Sequence, residues 1–408
     1  MLLSRISVRT RYLVGALAGT AAVLAGVLIP TGSAEAAGVP TGPIFNNPTG
    51  DTSDQRAIRT QVHDIVANAD EGSVLRLAMY HFWDEDLAED LVAAKDRGVN
   101  VRVVLDHSTL SYPASYDILK AGLGTSTGAG SWVVLCASGS SCLGPSGTGI
   151  NHNKYLLASS VGGGAQKNVV AQLTSNLTPS NYSRYWNSSV TVADNADLFD
   201  GYVSYFDKLA AQNRGNWKYT YGNAGAYKYY FFPRAGSSAS SDTIVNALDN
   251  VACTYSDDSG SHKTSIHITM LKITRQAVAD KLKSLGAAGC AIDIVYSETD
   301  SGTWPVLHST GITNRCYQHD HDGDSGTPNR IVHSKNMLIS GMYADKVQKV
   351  MWTGSHNFSG PALRNNDEAM LRITDGSVYD AFEANFQAAR SAASPGTSDN
   401  VTVCKTES

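Results

Sequence analysis

The sequence predicts an α/β fold made of two similar halves. Two observations carry this expectation. A strand–helix–strand pattern occurs twice, and the offset from Met79 to Met270 equals that from Gly98 to Gly289. Farther along each copy a strand carrying His-x-Lys recurs, at His152 and His333.

Taken in order, residues 1–36 read as a secretory signal peptide. Arg5, Arg9 and Arg11 precede an apolar run over 13–29, and Ala34-Glu35-Ala36 supplies the small-x-small pattern of a cleavage site. This predicts a secreted, soluble protein. VLRLAMYHF (74–82) alternates as a strand, 84–98 has helical periodicity, and VNVRVVLDH (99–107) is again a strand. The connection is long enough for parallel pairing. A Gly/Ser-rich loop leads to GINHNKYLL (149–157), then AQLTSN (171–176), VTVAD ending at Asp194, and a helix near 196–212. The second copy runs through SIHITMLKI (265–273), a helix over 274–289, CAIDIVYSE (290–298), RIVHSKNML (330–338) and MWTGSHN (351–357). It closes with LRITD ending at Asp375 and a helix near 376–393. The repeats cover about 44–215 and 228–395, so the signal is followed by an N-terminal half at 37–215 and a C-terminal half at 216–408.

Composition narrows the class. Of 408 residues, 42% are hydrophobic and 17% charged, and 37 glycines and 12 prolines are spread along the chain, which excludes collagen-like and proline-rich chains. Losing Arg5, Arg9, Arg11 and Glu35 with the signal takes the net charge from -5 to -7. That acidic balance lacks the broad positive field of a non-specific nucleic-acid binder. The six cysteines contain no CxxC pair, which argues against a zinc knuckle or a redox motif. The expected disulfides are Cys136–Cys142, Cys253–Cys290 and Cys316–Cys404.

Only two of the 11 histidines are followed by x-Lys. Residues i and i+2 of a strand share a face, so each imidazole and ammonium should project together. An ammonium disfavours a proton on the neighbouring ring but suits an anion. Asn176 follows His152 at the same distance along the chain as Asn357 follows His333, and both amides can donate to that anion. A lone strand histidine is ordinarily structural. Two copies with equally spaced asparagines point to chemistry instead. On spacing alone, the halves could be separate domains or could share one site.

His-x-Lys followed by Gly-Ser-x-Asn, present twice, resembles the phospholipase D superfamily. The copies read HNKYLLAS with LTSN, and HSKNMLIS with GSHN. The family's His-x-Lys-x4-Asp has serine at Ser159 and Ser340, and Leu173-Thr174 replaces Gly-Gly or Gly-Ser. Relatives resembling tyrosyl-DNA phosphodiesterases also lack that Asp. The resemblance implies two α/β/α halves about a pseudo-twofold axis with one shared active site, needing neither metal nor cofactor. It makes His152 the nucleophile and His333 the general acid, with Lys154, Lys335, Asn176 and Asn357 holding phosphate oxygens and Ser175 and Ser355 binding substrate. Glu368 is the candidate to orient the histidine of the second half, with Asn187 at the corresponding place in the first. The implied activity is phosphodiester hydrolysis or transfer at a phospholipid head group, by a monomer at a membrane surface. A secreted nuclease and an inactive phosphate-binding protein are the alternatives.

Several features stand outside this scheme. Asp320, Asp322 and Asp324 resemble the start of a calcium loop, but Ile331 stands where the twelfth-position acid belongs, so a solvated acidic loop is expected. The aromatic segment 216–236 is expected to pack across strands, and Trp83, Trp186 and Trp304 to lie at the rim of the site. Ser159 and Ser340, beyond the lysine of each motif, are expected to be structural.

Overall fold

Val74–Met79 and Asn100–Leu105 pair in parallel across the helix Glu85–Asp96 in the computed structural model, which describes residues 38–319 and 326–393. The expected signal at 1–36, the Asp320–Asp324 loop and the Cys316–Cys404 pairing involve residues outside that range. Helix Glu85–Asp96 forms because Leu87, Ala88, Leu91 and Ala94 give it one buried stripe, while the Asp84 carboxylate accepts from the Leu87 amide at its start. The same unit recurs in Ser265–Ile273, helix Gln276–Ala287 and Ala291–Thr299, again with parallel strands. Gly98 and Gly289, matched in the repeat, both leave their helices at positive φ, +93° and +97°. A side chain would be strained at either position.

These units sit in two nine-stranded sheets. In the first, Lys154–Val161 lies between Val74–Met79 and Gln166–Leu173, antiparallel to both. In the second, Lys335–Tyr343 lies between Ser265–Ile273 and Lys346–Gly354 in the same way. Met79 pairs with Lys154 and Met270 with Lys335, so the repeat methionines sit beside the two motif lysines. The two-half α/β fold expected from the repeats is the one observed.

The halves interlock. Arg330–Val332 runs parallel to Tyr185–Val192 of the first half and extends its sheet. One hydrophobic core includes Tyr155, Tyr202 and Tyr205 together with Phe231, Leu338 and Met351. The aromatic connection forms a hairpin of Thr220–Ala224 and Tyr227–Phe232, whose second strand pairs with Glu368–Ile373. Tyr221 lies beside Tyr230 across the hairpin with ring centroids 6.4 Å apart, the cross-strand packing expected of this segment, whereas Phe231 stacks at 4.2 Å on Tyr205 of the helix Ala196–Ala211. Trp186 departs from expectation. It is 1% exposed and meets Tyr317 edge-on, because the strand exchange buries its strand between the halves.

The Cys136–Cys142 and Cys253–Cys290 disulfides are formed. Among the described residues, no helix is long and apolar enough to cross a membrane.

Candidate active site

The strand exchange sets the site. The motif segment of each half hydrogen-bonds to the last strand region of the other. The His152 amide donates to the Asp367 carbonyl at 2.9 Å and the Asp367 amide to the Ile150 carbonyl at 3.0 Å. The His333 amide donates to the Trp186 carbonyl at 2.9 Å. Trp186 and Asp367 are related by the same offset as His152 and His333, so the two contacts are equivalents in the repeat. Both histidines precede their strands, which begin at Lys154 and Lys335. Each lysine folds back so that its Nζ donates to the carbonyl of its own histidine, at 2.8 Å for Lys154 and closely for Lys335. Lys335 Nζ also lies 3.0 Å from His333 Nδ1, so ammonium and imidazole are together there, although both histidines stand just outside the strands in which the spacing places them.

The imidazoles are held by the opposite half. His152 Nδ1 lies 2.9 Å and 3.0 Å from the two carboxylate oxygens of Glu368. His333 Nδ1 lies 2.9 Å from Asn187 Oδ1. Asn187 and Glu368 are again equivalents in the repeat, at the offset of the two histidines. This corrects the expectation that Glu368 orients the histidine of its own half. Spacing along one chain aligns Glu368 with its own motif, but the exchange turns its carboxylate toward the other.

A second layer fixes these partners. Ser355 Oγ and Asn366 Nδ2 donate to the Glu368 carboxylate, the latter at 3.1 Å. Thr174 Oγ1, the repeat equivalent of Ser355, donates to Asn187 Oδ1 at 3.0 Å. Ser355 thus supports Glu368, and the Ser175 hydroxyl is bonded to the Asn176 carbonyl at 2.7 Å. Both hydroxyls donate to protein partners. Asn176 and Asn357 are different. Neither amide oxygen has a partner among the described residues, although both are buried. Ser159 and Ser340 lie along the sheet instead. The Val74 amide donates to Ser159 Oγ at 2.9 Å, and Ser340 pairs with Ser265 and Lys349.

Burial governs the charges. It pushes His152 well below the usual imidazole range, and Lys154 and Lys335 add repulsion. His333 is lowered in the same way, by burial, then by Lys335, Lys154 and His152. Burial brings Lys154 down to about 7, with Glu368 and Asp106 pulling the other way. It puts Lys335 well below its ordinary value, with Lys154 adding to the effect. Burial likewise raises Glu368 to about 8, against the Lys154 charge and the bonds from Ser355 and Asn366. That each imidazole feels both lysines places all four groups in one electrostatic site. An anion bound there would favour protons on these groups.

A line of rings missed in the sequence leads to His152. Tyr80 meets His152 edge-on at 5.2 Å and lies under Lys154 Nζ at 5.3 Å. His81 stacks on Tyr80 at 3.7 Å, Trp83 on His81 at 4.6 Å, and exposed Tyr112 packs on Trp83 at 4.4 Å. The signal was the run Tyr80-His81-Phe82-Trp83 at the end of a buried strand. Trp83 is thus near the site as expected, whereas Trp304 stacks on His308 at 4.0 Å.

Residues 65–210 and 260–390 match the sequence profile of a family described as cardiolipin synthase, PLD-like domain. No curated protein matches. A phosphatidylserine synthase of Haemophilus influenzae Rd KW20 has a similar structure, with TM-score 0.55 and 11% identity over 86% of this chain and 87% of that one. A polyphosphate kinase of Porphyromonas gingivalis matches with TM-score 0.54 and 14% identity over 85% of this chain, which spans only 50% of the kinase. Nuc of Salmonella typhimurium, a phospholipase D family member, is 20% identical over 43% of this chain and 96% of its own, with TM-score 0.31.

Proposed function

The chain belongs to the phospholipase D-like family, whose members act on phosphodiester bonds, and on that premise we propose that it is a secreted phosphodiesterase acting at the head group of phospholipids. The observation that carries the reading is the crossed pair of imidazole contacts, His152 with Glu368 and His333 with Asn187.

The asymmetry of that pair assigns the roles. A carboxylate at His152 Nδ1 keeps the proton there and leaves Nε2 with its lone pair. His152 Nε2 attacks phosphorus, forming a P–N bond as the bond to the departing alcohol breaks. Glu368 stabilises the positive charge this places on the ring. His333 Nε2–H donates its proton to the leaving oxygen. It can do so because the bound phosphodiester, by its own charge, favours a proton on a ring that burial and the lysines otherwise keep neutral. Water, or an acceptor alcohol, then gives a proton back to His333 and attacks phosphorus, breaking the P–N bond. Lys154, Lys335, Asn176 and Asn357 hold the non-bridging oxygens throughout.

Support for a lipid comes from the aromatic line from Tyr112 to Tyr80 and from the acidic chain. The expected signal and the two disulfides favour a secreted protein. In this reading the enzyme works as a monomer at a membrane surface. The test is a parallel assay, in EDTA, of protein lacking residues 1–36 on phosphatidylcholine vesicles and on single-stranded DNA. The expected result is head-group release without DNA cleavage. DNA cleavage without head-group release overturns the lipid assignment.

A further inference from the structure

The segment joining the two halves builds a cavity of about 680 Å³ that none of the motif residues lines. Arg214, Lys218, Arg234 and Arg364 surround it, together with Trp217 and Tyr219. Leu143, Pro145 and Pro233 supply apolar wall, and no Asp or Glu lines it.

The three arginines find neutral hydrogen-bond partners. Arg214 donates to the Ser141 carbonyl at 2.8 Å. Arg364 donates to the Arg234 carbonyl at 2.9 Å and to Ser241 Oγ at 2.9 Å. Arg234 lies 5.0 Å over the Tyr219 ring and donates to Thr243 Oγ1. Among the described residues none of the four is in an ion pair. Asp242, which acts on Arg364 from outside the lining, is itself paired with Arg275 at 2.7 Å. A smaller cavity of about 390 Å³ shares Tyr219 and Arg234 and adds Lys228 and Arg372, again without an acid. Lys228 Nζ sits 4.8 Å over Tyr221, which is 58% exposed. Six cations thus gather around aromatic rings in a chain whose net charge is -5.

A cationic ring around an apolar recess fits an anion with an apolar body. A polynucleotide would instead call for charges strung along a groove. We propose that this cavity is a non-catalytic binding site for an anionic phospholipid. The phosphate lies among Arg214, Lys218 and Arg234, and the first part of an acyl chain lies against Leu143, Trp217 and Pro233. The aromatic connection, which the packing of Phe231 explains only on its inner side, has its outer side explained by this contact. The inference is independent of what the histidines cleave.

The experiment uses protein lacking residues 1–36 with His152→Ala, so that no lipid is turned over. Co-sedimentation compares phosphatidylcholine vesicles with vesicles that also contain phosphatidylglycerol, and calorimetry follows soluble dihexanoyl-phosphatidylglycerol. Binding to the anionic vesicles and to the soluble lipid is expected. Adding Lys218→Glu with Arg234→Glu should weaken both by about tenfold or more. Lys218→Glu alone, at an exposed position, should weaken both to a smaller degree, with an unchanged melting temperature. Equal binding to both vesicle types, undiminished binding by the variants, or failure of the soluble lipid to bind each overturns the site. Displacement of the soluble lipid by single-stranded DNA at equal phosphate concentration overturns the choice of a lipid.

Discussion

Glu368 holds the imidazole of His152 across 216 residues of sequence, from the opposite half of the molecule. Its repeat equivalent, Asn187, does the same for His333. Two motifs that look self-contained in the sequence are therefore completed only by each other, and the one ionisable orienter marks the imidazole that becomes cationic on bonding phosphorus.

This asymmetry predicts unequal mutants. Glu368→Gln should lower kcat by roughly 10²-fold or more with little change in KM, by analogy with the loss of a carboxylate behind a catalytic imidazole. Asn187→Ala should cost less, because it removes a neutral hydrogen bond. Steady-state kinetics on one phosphodiester substrate decide the matter. A larger loss for Asn187→Ala reverses the roles of the two histidines.

Anion binding should take up protons. Lys154 is held at about 7, and His152, His333 and Lys335 lie well below their ordinary values. A bound phosphate raises all four. At pH 8 binding of inorganic phosphate should therefore take up protons, and affinity should fall as pH rises above 7. Calorimetry in buffers of different ionisation enthalpy reads the number directly. Proton release, or affinity that rises with pH, contradicts these charge states.

Much of this architecture is legible in the sequence. The βαβ units follow from period-2 and period-3.6 patterning, and Met79, Met270, Gly98 and Gly289 mark equivalent places in both copies. The partner of Glu368 is not legible, because equivalent residues exchange sides across the junction and a spacing argument cannot see that exchange. Thr174 is hidden for a related reason. It stands where the family has a small Gly-Gly or Gly-Ser, so it reads as a departure, although it supports Asn187 as Ser355 supports Glu368. Trp186 reads as a rim residue because the strand that buries it comes from far along the chain.

Ser159 and Ser340 should tolerate change. Ser159 Oγ accepts from the Val74 amide within the sheet, and Ser340 lies in register with Ser265. Ser159→Ala and Ser340→Ala should retain most turnover, whereas His152→Ala or His333→Ala abolishes it. Activity measured alongside melting temperature separates the cases. A serine variant that is inactive yet equally stable brings these hydroxyls into the chemistry.

Asp84 should matter for stability. Burial alone would raise its carboxyl, but bonds from His63, Arg59, Tyr182 and the Leu87 amide outweigh this and hold it well below the usual range. Arg59 Nε is 2.7 Å from its Oδ2. Asp84→Asn leaves Arg59 without its buried partner and should cost about 3 kcal/mol. A carboxyl lowered by folding contributes fully above its unfolded value and loses that contribution as pH falls toward its folded one. The difference between denaturant melts of the two proteins should therefore hold from pH 7 to about 4 and begin to narrow toward pH 3. A constant difference contradicts the charged contact.

The most direct test of the account is the identity of the covalent intermediate. His333→Ala lacks the proposed acid and the proposed base of the second step. With a p-nitrophenyl phosphodiester, whose leaving group needs no proton, the first step can still occur. Alkaline quenching and peptide mass spectrometry should then find the phosphoryl group on His152, accumulating in step with one burst of nitrophenol. Phosphate on another residue, or a burst without any adduct, contradicts a two-histidine site in which His152 attacks.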